Sequence, residues 1–87
     1  MIALTLRQIA EITGGHLSPE ADPDNSVTGF VEFDSRKIGP GGLFVAFPGA
    51  NVDGHDFVGK AAAAGATASL TTREVGRPAV VVEKRPP

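Results

Sequence analysis

The residues able to do chemistry lie between Asp34 and Lys60, in three groups. Asp34-Ser35-Arg36 offers a hydroxyl, neighbouring backbone N–H groups and a planar guanidinium fork suited to phosphate. The same residues can equally close on themselves, Asp34 capping a turn and pairing with Arg36, so the sequence leaves open whether Arg36 meets phosphate or Asp34. Asp53-Gly54-His55-Asp56 places two carboxylates and an imidazole together, as a metal cluster or an acid–base set would. Its structural alternative is stronger, because Asp53 or Asp56 is well placed as an N-cap and acids favour the first helical turn. His16 is too remote in sequence to be taken as a further ligand. Gly54-His-Asp-Phe-Val-Gly59-Lys60 has the G-x-x-x-x-G-K spacing of a phosphate-cradling loop. Ala61 stands where that loop needs a hydroxyl for Mg²⁺, Asp56 would face the phosphate, and Phe57 and Val58 suit the apolar face of a helix. The segment is therefore read as helix, with Gly59 an ordinary member. There is no cysteine, no histidine pair at helical spacing and no Gly-x-Ser-x-Gly elbow, so no catalytic or metal-ligating residue is assigned.

The elements that position these groups follow from turn chemistry and periodicity. Pro40-Gly41 and Pro48-Gly49 fit the central positions of type II turns. Between them Leu43 to Phe47 is an apolar run that predicts a strand covered on both faces. The chain then passes Ala50-Asn51-Val52 into a helix predicted over Asp56 to Ala64, with Phe57, Ala61 and Ala64 on its apolar side and Gly65 at C′. A strand–loop–helix corner of this kind is where α/β proteins hold ligands. Upstream, Thr5 and Gln8 form a capping-box pattern for a helix that buries Leu6, Ile9, Ala10 and Ile12 and stops at Gly14-Gly15. His16 to Ser18 is read as an edge strand, Pro19 to Asn25 as a surface loop, and Val27 to Phe33 as one strand with Val27, Val31 and Phe33 on one face and Phe30 on the other. Ala68 to Thr71 and Ala79 to Val82 are two further strands, and Glu83 to Pro87 reads as a linker. The pattern predicts an α/β fold: a small layered domain, a mixed sheet of about four or five short strands with helices packed on it.

Length and charge bound the function. At 87 residues the chain is one domain, able to bury roughly 60 to 65% of its unfolded surface. A net charge of −2, with eight scattered Lys and Arg, argues against a nucleic-acid surface, so an anionic ligand needs aimed donors. Arg7 and Gln8 interrupt the apolar start, and no run approaches the roughly 20 residues of a membrane span. The expectation is a soluble cytoplasmic chain without membrane contact.

Asp34-Ser35-Arg36, Pro40-Gly41, Leu43-Phe44-Val45-Ala46, Gly49, Asp53-Gly54-His55-Asp56-Phe57 and Gly65-Ala66 together resemble the N-terminal domain of the Mur ligases. The opening LTLRQIAEITGG is more similar to the branch that adds D-alanyl-D-alanine than to the branch that adds the third amino acid. The resemblance implies a layered α/β domain that holds the uridine diphosphate end of a UDP-linked muramoyl peptide. It further implies a parent enzyme that activates a carboxylate with ATP and Mg²⁺ as an acyl phosphate and couples it to an amine, in domains beyond these residues. Carried over position by position, the substrate contacts are Phe33 and Ser35, then Ala50, Asn51 and Val52. Only Asn51 in that second group has a polar side chain, which favours backbone contacts there. Arg36 and His55 complete the candidate set, on the chemistry and position of their side chains.

Overall fold

Leu43-Phe44-Val45-Ala46 has no polar side chain to turn toward water, and all four residues are buried in the strand they form. The structure, a computed structural model, describes residues 3–46 and 54–82. In chain order the elements are β1 (Leu4–Thr5), α1 (Leu6–Thr13), β2 (His16–Leu17), β3 (Ser26–Val27), β4 (Val31–Glu32), β5 (Leu43–Ala46), a 3-10 turn (Gly54–Phe57), α2 (Val58–Ala63), β6 (Ala68–Thr71) and β7 (Ala79–Val81). Five strands form one sheet in the order β2-β7-β6-β5-β4. Its members are parallel except β2, which runs antiparallel to β7 at one edge. β1 and β3 make a separate antiparallel pair.

Side chains alternate across a strand, so β5 serves two cores at once. Leu43 faces α1 and packs with Leu6, Ile9, Ala10, Val27, Ala68 and Val80. Phe44 and Ala46 face the other way, onto Ile38 and the Val58 and Ala61 side of α2. The result is a sheet covered on both faces, the mixed α/β architecture expected of the sequence. Ile12 and Ala64, assigned above to the apolar sides of their helices, are both exposed, Ile12 by 71%.

The first helix forms as its ends dictate. The Gln8 amide donates to Thr5 Oγ1 at 3.1 Å and the Thr5 amide donates back to Gln8 Oε1 at 2.9 Å, closing the capping box. Two further first-turn amides have no partner within a helix. Leu6 donates to the Asn25 carbonyl (2.9 Å) and Arg7 to that of Pro23 (3.1 Å), while the Arg7 guanidinium meets Asp24 at 3.0 Å. The loop expected only to cover surface thus completes the helix N-terminus. Ser18, read above as the end of an edge strand, lies just past β2 and is buried, donating to the Arg77 carbonyl and accepting from the Ala79 amide, both at 3.0 Å.

The single strand predicted over Val27 to Phe33 is instead two. β3 pairs with β1 and β4 with β5, and the break falls at Thr28-Gly29. There both amides donate to the Gly41 carbonyl, at 3.0 and 2.9 Å. A Cβ at Gly29 would lie 2.8 Å from the Pro40 carbonyl oxygen, so only glycine admits this approach. Phe30, Val31 and Phe33 consequently stay exposed rather than forming a buried face. The second helix also begins later than expected. Gly54 to Phe57 is a 3-10 turn, the N-cap position is Phe57 with no side-chain cap, and Asp56 is exposed within the turn. Pro40-Gly41 forms the expected turn, with Gly41 at φ 77 and the Gly42 amide donating to Gly39. Phe47, the Pro48-Gly49 turn, Asp53 and the segment 83–87 lie outside the described residues.

Gly65 has φ 104, and a Cβ there would fall 2.9 Å from the Pro40 Cα, whereas a Cβ on Gly59 would rest 3.5 Å from the Arg77 guanidinium in ordinary contact. Gly65→Ala should therefore cost about 1 kcal/mol or more, and Gly59→Ala, in a helix interior, should be neutral or slightly stabilising. Urea denaturation of the two variants checks the order.

Candidate ligand-binding site

The carboxyl end of β4 leads straight into the Phe33 to Arg36 segment, and a turn built on Asp34 returns the chain to the core. Asp34 Oδ1 accepts from the Arg36 amide at 2.9 Å, and the Asp34 carbonyl accepts from the Lys37 amide at 2.9 Å. This is an aspartate organising its own turn. The Arg36 guanidinium then docks on the same carboxylate, Nε to Oδ1 at 3.0 Å and Nη2 to Oδ2 at 2.9 Å. Of the two alternatives open in the sequence, the Asp34 pairing is the one the structure contains. These bonds from Arg36, first through the side chain and then through the backbone amide, hold the Asp34 carboxyl at about 2. Arg36 is raised in turn by Asp34.

A cavity of about 590 Å³ opens beside this turn. Its size falls within the roughly 300 to 1,000 Å³ of small-molecule sites. Phe44 and Val45 come from β5, Phe57 from the 3-10 turn and Phe33 from the end of β4, giving an apolar wall. Asp34, Ser35, Arg36, Gly54 and Lys60 supply the polar lining. The position, beyond the carboxyl ends of two neighbouring parallel strands, is where open α/β sheets bind ligands.

Of the sequence-derived candidates, Phe33, Ser35 and Arg36 therefore meet at one cavity, with Phe33 76% exposed. Ala50, Asn51 and Val52 lie outside the described residues. His55 does not line the cavity. It is buried, with Nε2 accepting from the Thr72 amide at 3.0 Å and Nδ1 3.1 Å from Arg73 Nη1. The ring thus ties the 3-10 turn to the end of β6. Sequence reading missed Phe57 and Lys60 as lining residues. Their i, i+3 spacing, which places two side chains on one helical face, was the available signal.

The Gly54–Lys60 segment does not fit the phosphate-cradling role that its spacing suggested. Gly54 to Phe57 is helical, Gly59 and Lys60 lie within α2, and Ala61 is fully buried against the sheet. No group of His, Asp and Glu able to hold a metal ion occurs among the described residues. No described helix is long and apolar enough to cross a membrane.

A mixed sheet wrapped by helices, with a cavity at its carboxyl edge, defines a small α/β domain. The chain belongs to the Mur ligase family, as an N-terminal domain: residues 28–85 match the family profile described as "Mur ligase family, catalytic domain". It is 59% identical over 85 residues to the UDP-N-acetylmuramoyl-tripeptide--D-alanyl-D-alanine ligase of Mycobacterium tuberculosis, covering 94% of this chain and 17% of that protein. It is 46% identical over 72 residues to the UDP-N-acetylmuramoyl-L-alanyl-D-glutamate--2,6-diaminopimelate ligase of Zymomonas mobilis, covering 82% of this chain and 14% of that protein. The crystal structure of MurF from Acinetobacter baumannii superposes with a TM-score of 0.81 at 25% identity, covering 94% of this chain and 18% of that one. The chain thus spans about one sixth of the length of the relatives it matches.

The Asp34–Arg36 pair gives a pH prediction. Because the folded carboxyl is depressed to about 2 from 3.8, its contribution is fully present above the ordinary carboxylate value and is lost as pH falls through about 2. Carbon-detected NMR titration of Asp34 should show that low midpoint, and Arg36→Gln should return it toward 3.8.

Proposed function

We propose that residues 1–87 form a single substrate-anchoring domain of an ATP-dependent ligase of peptidoglycan precursor synthesis, the one that joins D-alanyl-D-alanine to a UDP-N-acetylmuramoyl tripeptide. The observation that carries the reading is the cavity at the ends of β4 and β5, which gathers Phe33, Ser35 and Arg36 in a chain 59% identical to a ligase with that name. The domain's share of the work is binding. Phe33 offers a ring face to uracil, Ser35 and turn amides meet the polar edges, and the cationic rim faces the diphosphate. ATP and Mg²⁺ supply acyl activation from parts of the ligase beyond these residues, since the Gly54–Lys60 segment has no phosphate cradle. The enzyme works in the cytoplasm.

A second reading is the branch that adds the third amino acid, supported by the 46% identity to a 2,6-diaminopimelate ligase. Amide formation by the full-length ligase, tested with each amine, separates the two.

Titration of the chain with UDP or UDP-N-acetylmuramate, followed by amide NMR, should move residues 33 to 36 and 54 to 60 with a dissociation constant on the order of 0.1 to 10 mM. Changes confined to the Pro19 to Asn25 loop would sink the assignment. The same chain should release no phosphate from ATP, with or without Mg²⁺. Mg²⁺-dependent turnover abolished by Lys60→Ala would reverse that expectation.

A further inference from the structure

Arg36 and Lys60, the cations that line the cavity among the described residues, are in different electrical situations. Arg36 is held at two points by Asp34, so its formal charge is cancelled where it stands and one edge of its fork is occupied. Lys60 is exposed, and its side chain makes no hydrogen bond or ion pair with any described residue. Asp56, four residues earlier on the same helical side, does not pair with it. Gly59, its neighbour, faces Arg77 instead, so α2 separates its two cationic contacts onto different sides. In a chain of net charge −2, an ammonium lining the cavity with no partner among the described residues is a local attraction that the general field does not provide.

We infer that Lys60 is the residue that recognises the phosphate charge of a nucleoside diphosphate in this cavity, while the Asp34–Arg36 ion pair beside it contributes no net charge. The inference rests on the uridine-diphosphate reading above and adds a specificity-determining residue to it. Lysine suits the task because a flexible point charge can follow a solvated diphosphate without a fixed geometry. Arg36 can offer phosphate only the Nη edge that Asp34 leaves open, and an anion there meets a charge already offset by the adjacent carboxylate.

The test compares UDP with uridine by amide NMR titration at low ionic strength, using the chain itself and the Lys60→Gln, Lys60→Arg and Arg36→Gln variants. Gln is close to Lys in helix propensity and removes the charge, so the fold is retained and the amide spectrum checks it. Lys60→Gln should weaken UDP about three- to tenfold. Uridine should bind it as before, Lys60→Arg should restore UDP, and Arg36→Gln should cost UDP less than Lys60→Gln does. UDP bound equally by the chain and by Lys60→Gln, or a larger loss from Arg36→Gln, overturns the role of Lys60 and leaves the uridine-diphosphate site standing. An equal loss of uridine and UDP in Lys60→Gln overturns it as well, because the effect would then not be read through phosphate. A chain that binds neither ligand overturns both readings together.

Discussion

The structure depends on the hydrogen bonding of one turn, Gly39 to Gly42, whose backbone groups cannot be left without partners beneath packed layers. The Gly41 carbonyl receives the Thr28 and Gly29 amides, and the Gly41 amide donates to the Gly65 carbonyl at 2.9 Å. The Gly42 carbonyl receives the Thr67 amide at 2.8 Å, and the next residue, Leu43, donates to Phe30 at 3.0 Å. The entry to β5 is thereby fixed against the strand before it and the strand after it at one point. A slip of one residue would send Leu43 to the α2 face and Phe44 to the α1 face, exchanging every contact of both cores. The position of Phe44 in the cavity wall is thus decided at a turn, Gly39 to Gly42, that supplies no cavity residue.

Elements whose signals are local were legible in the sequence. The Thr5–Gln8 box, the stop at Gly14, the apolar run of β5 and the β-rich stretches of β6 and β7 each carry their cause within a few residues. The break at Gly29 was not legible, because it arises from contact with Pro40 to Gly42, more than ten residues away. Alternation alone joined β3 to β4 and predicted an apolar face that the fold leaves in water. The α2 boundary was misplaced for a related reason. Acids near Gly54 resemble a cap, and periodicity does not distinguish a 3-10 turn from the α-helix that follows it.

The candidate site divides the same way. Phe33, Ser35 and Arg36 could be singled out by residue chemistry and by family resemblance, and the cavity unites them. Whether Arg36 had a partner was a question of turn geometry, since Asp34 reaches it only once the backbone has folded around its carboxylate. His55 drew attention as a polar residue in a ligand corner, but its ring is spent on Thr72 and Arg73, an arrangement created by β6 arriving alongside. Lys60 was read only as part of a misleading spacing. Its cavity position depends on where α2 starts, the boundary that the sequence placed least well.

β4 is an edge strand of its sheet, two residues long, and it and its flanks carry Phe30, Val31 and Phe33, each more than half exposed. An outer strand with open backbone groups and apolar side chains is a template onto which another chain can add by strand pairing. Its brevity limits how many inter-chain hydrogen bonds such an addition could form, and Glu32 places a charge in the middle of it. Phe33, which lines the cavity, thus also belongs to an exposed apolar strand edge. A molecule stacked on Phe33 would cover part of that apolar edge, so ligand binding and strand addition would draw on the same surface.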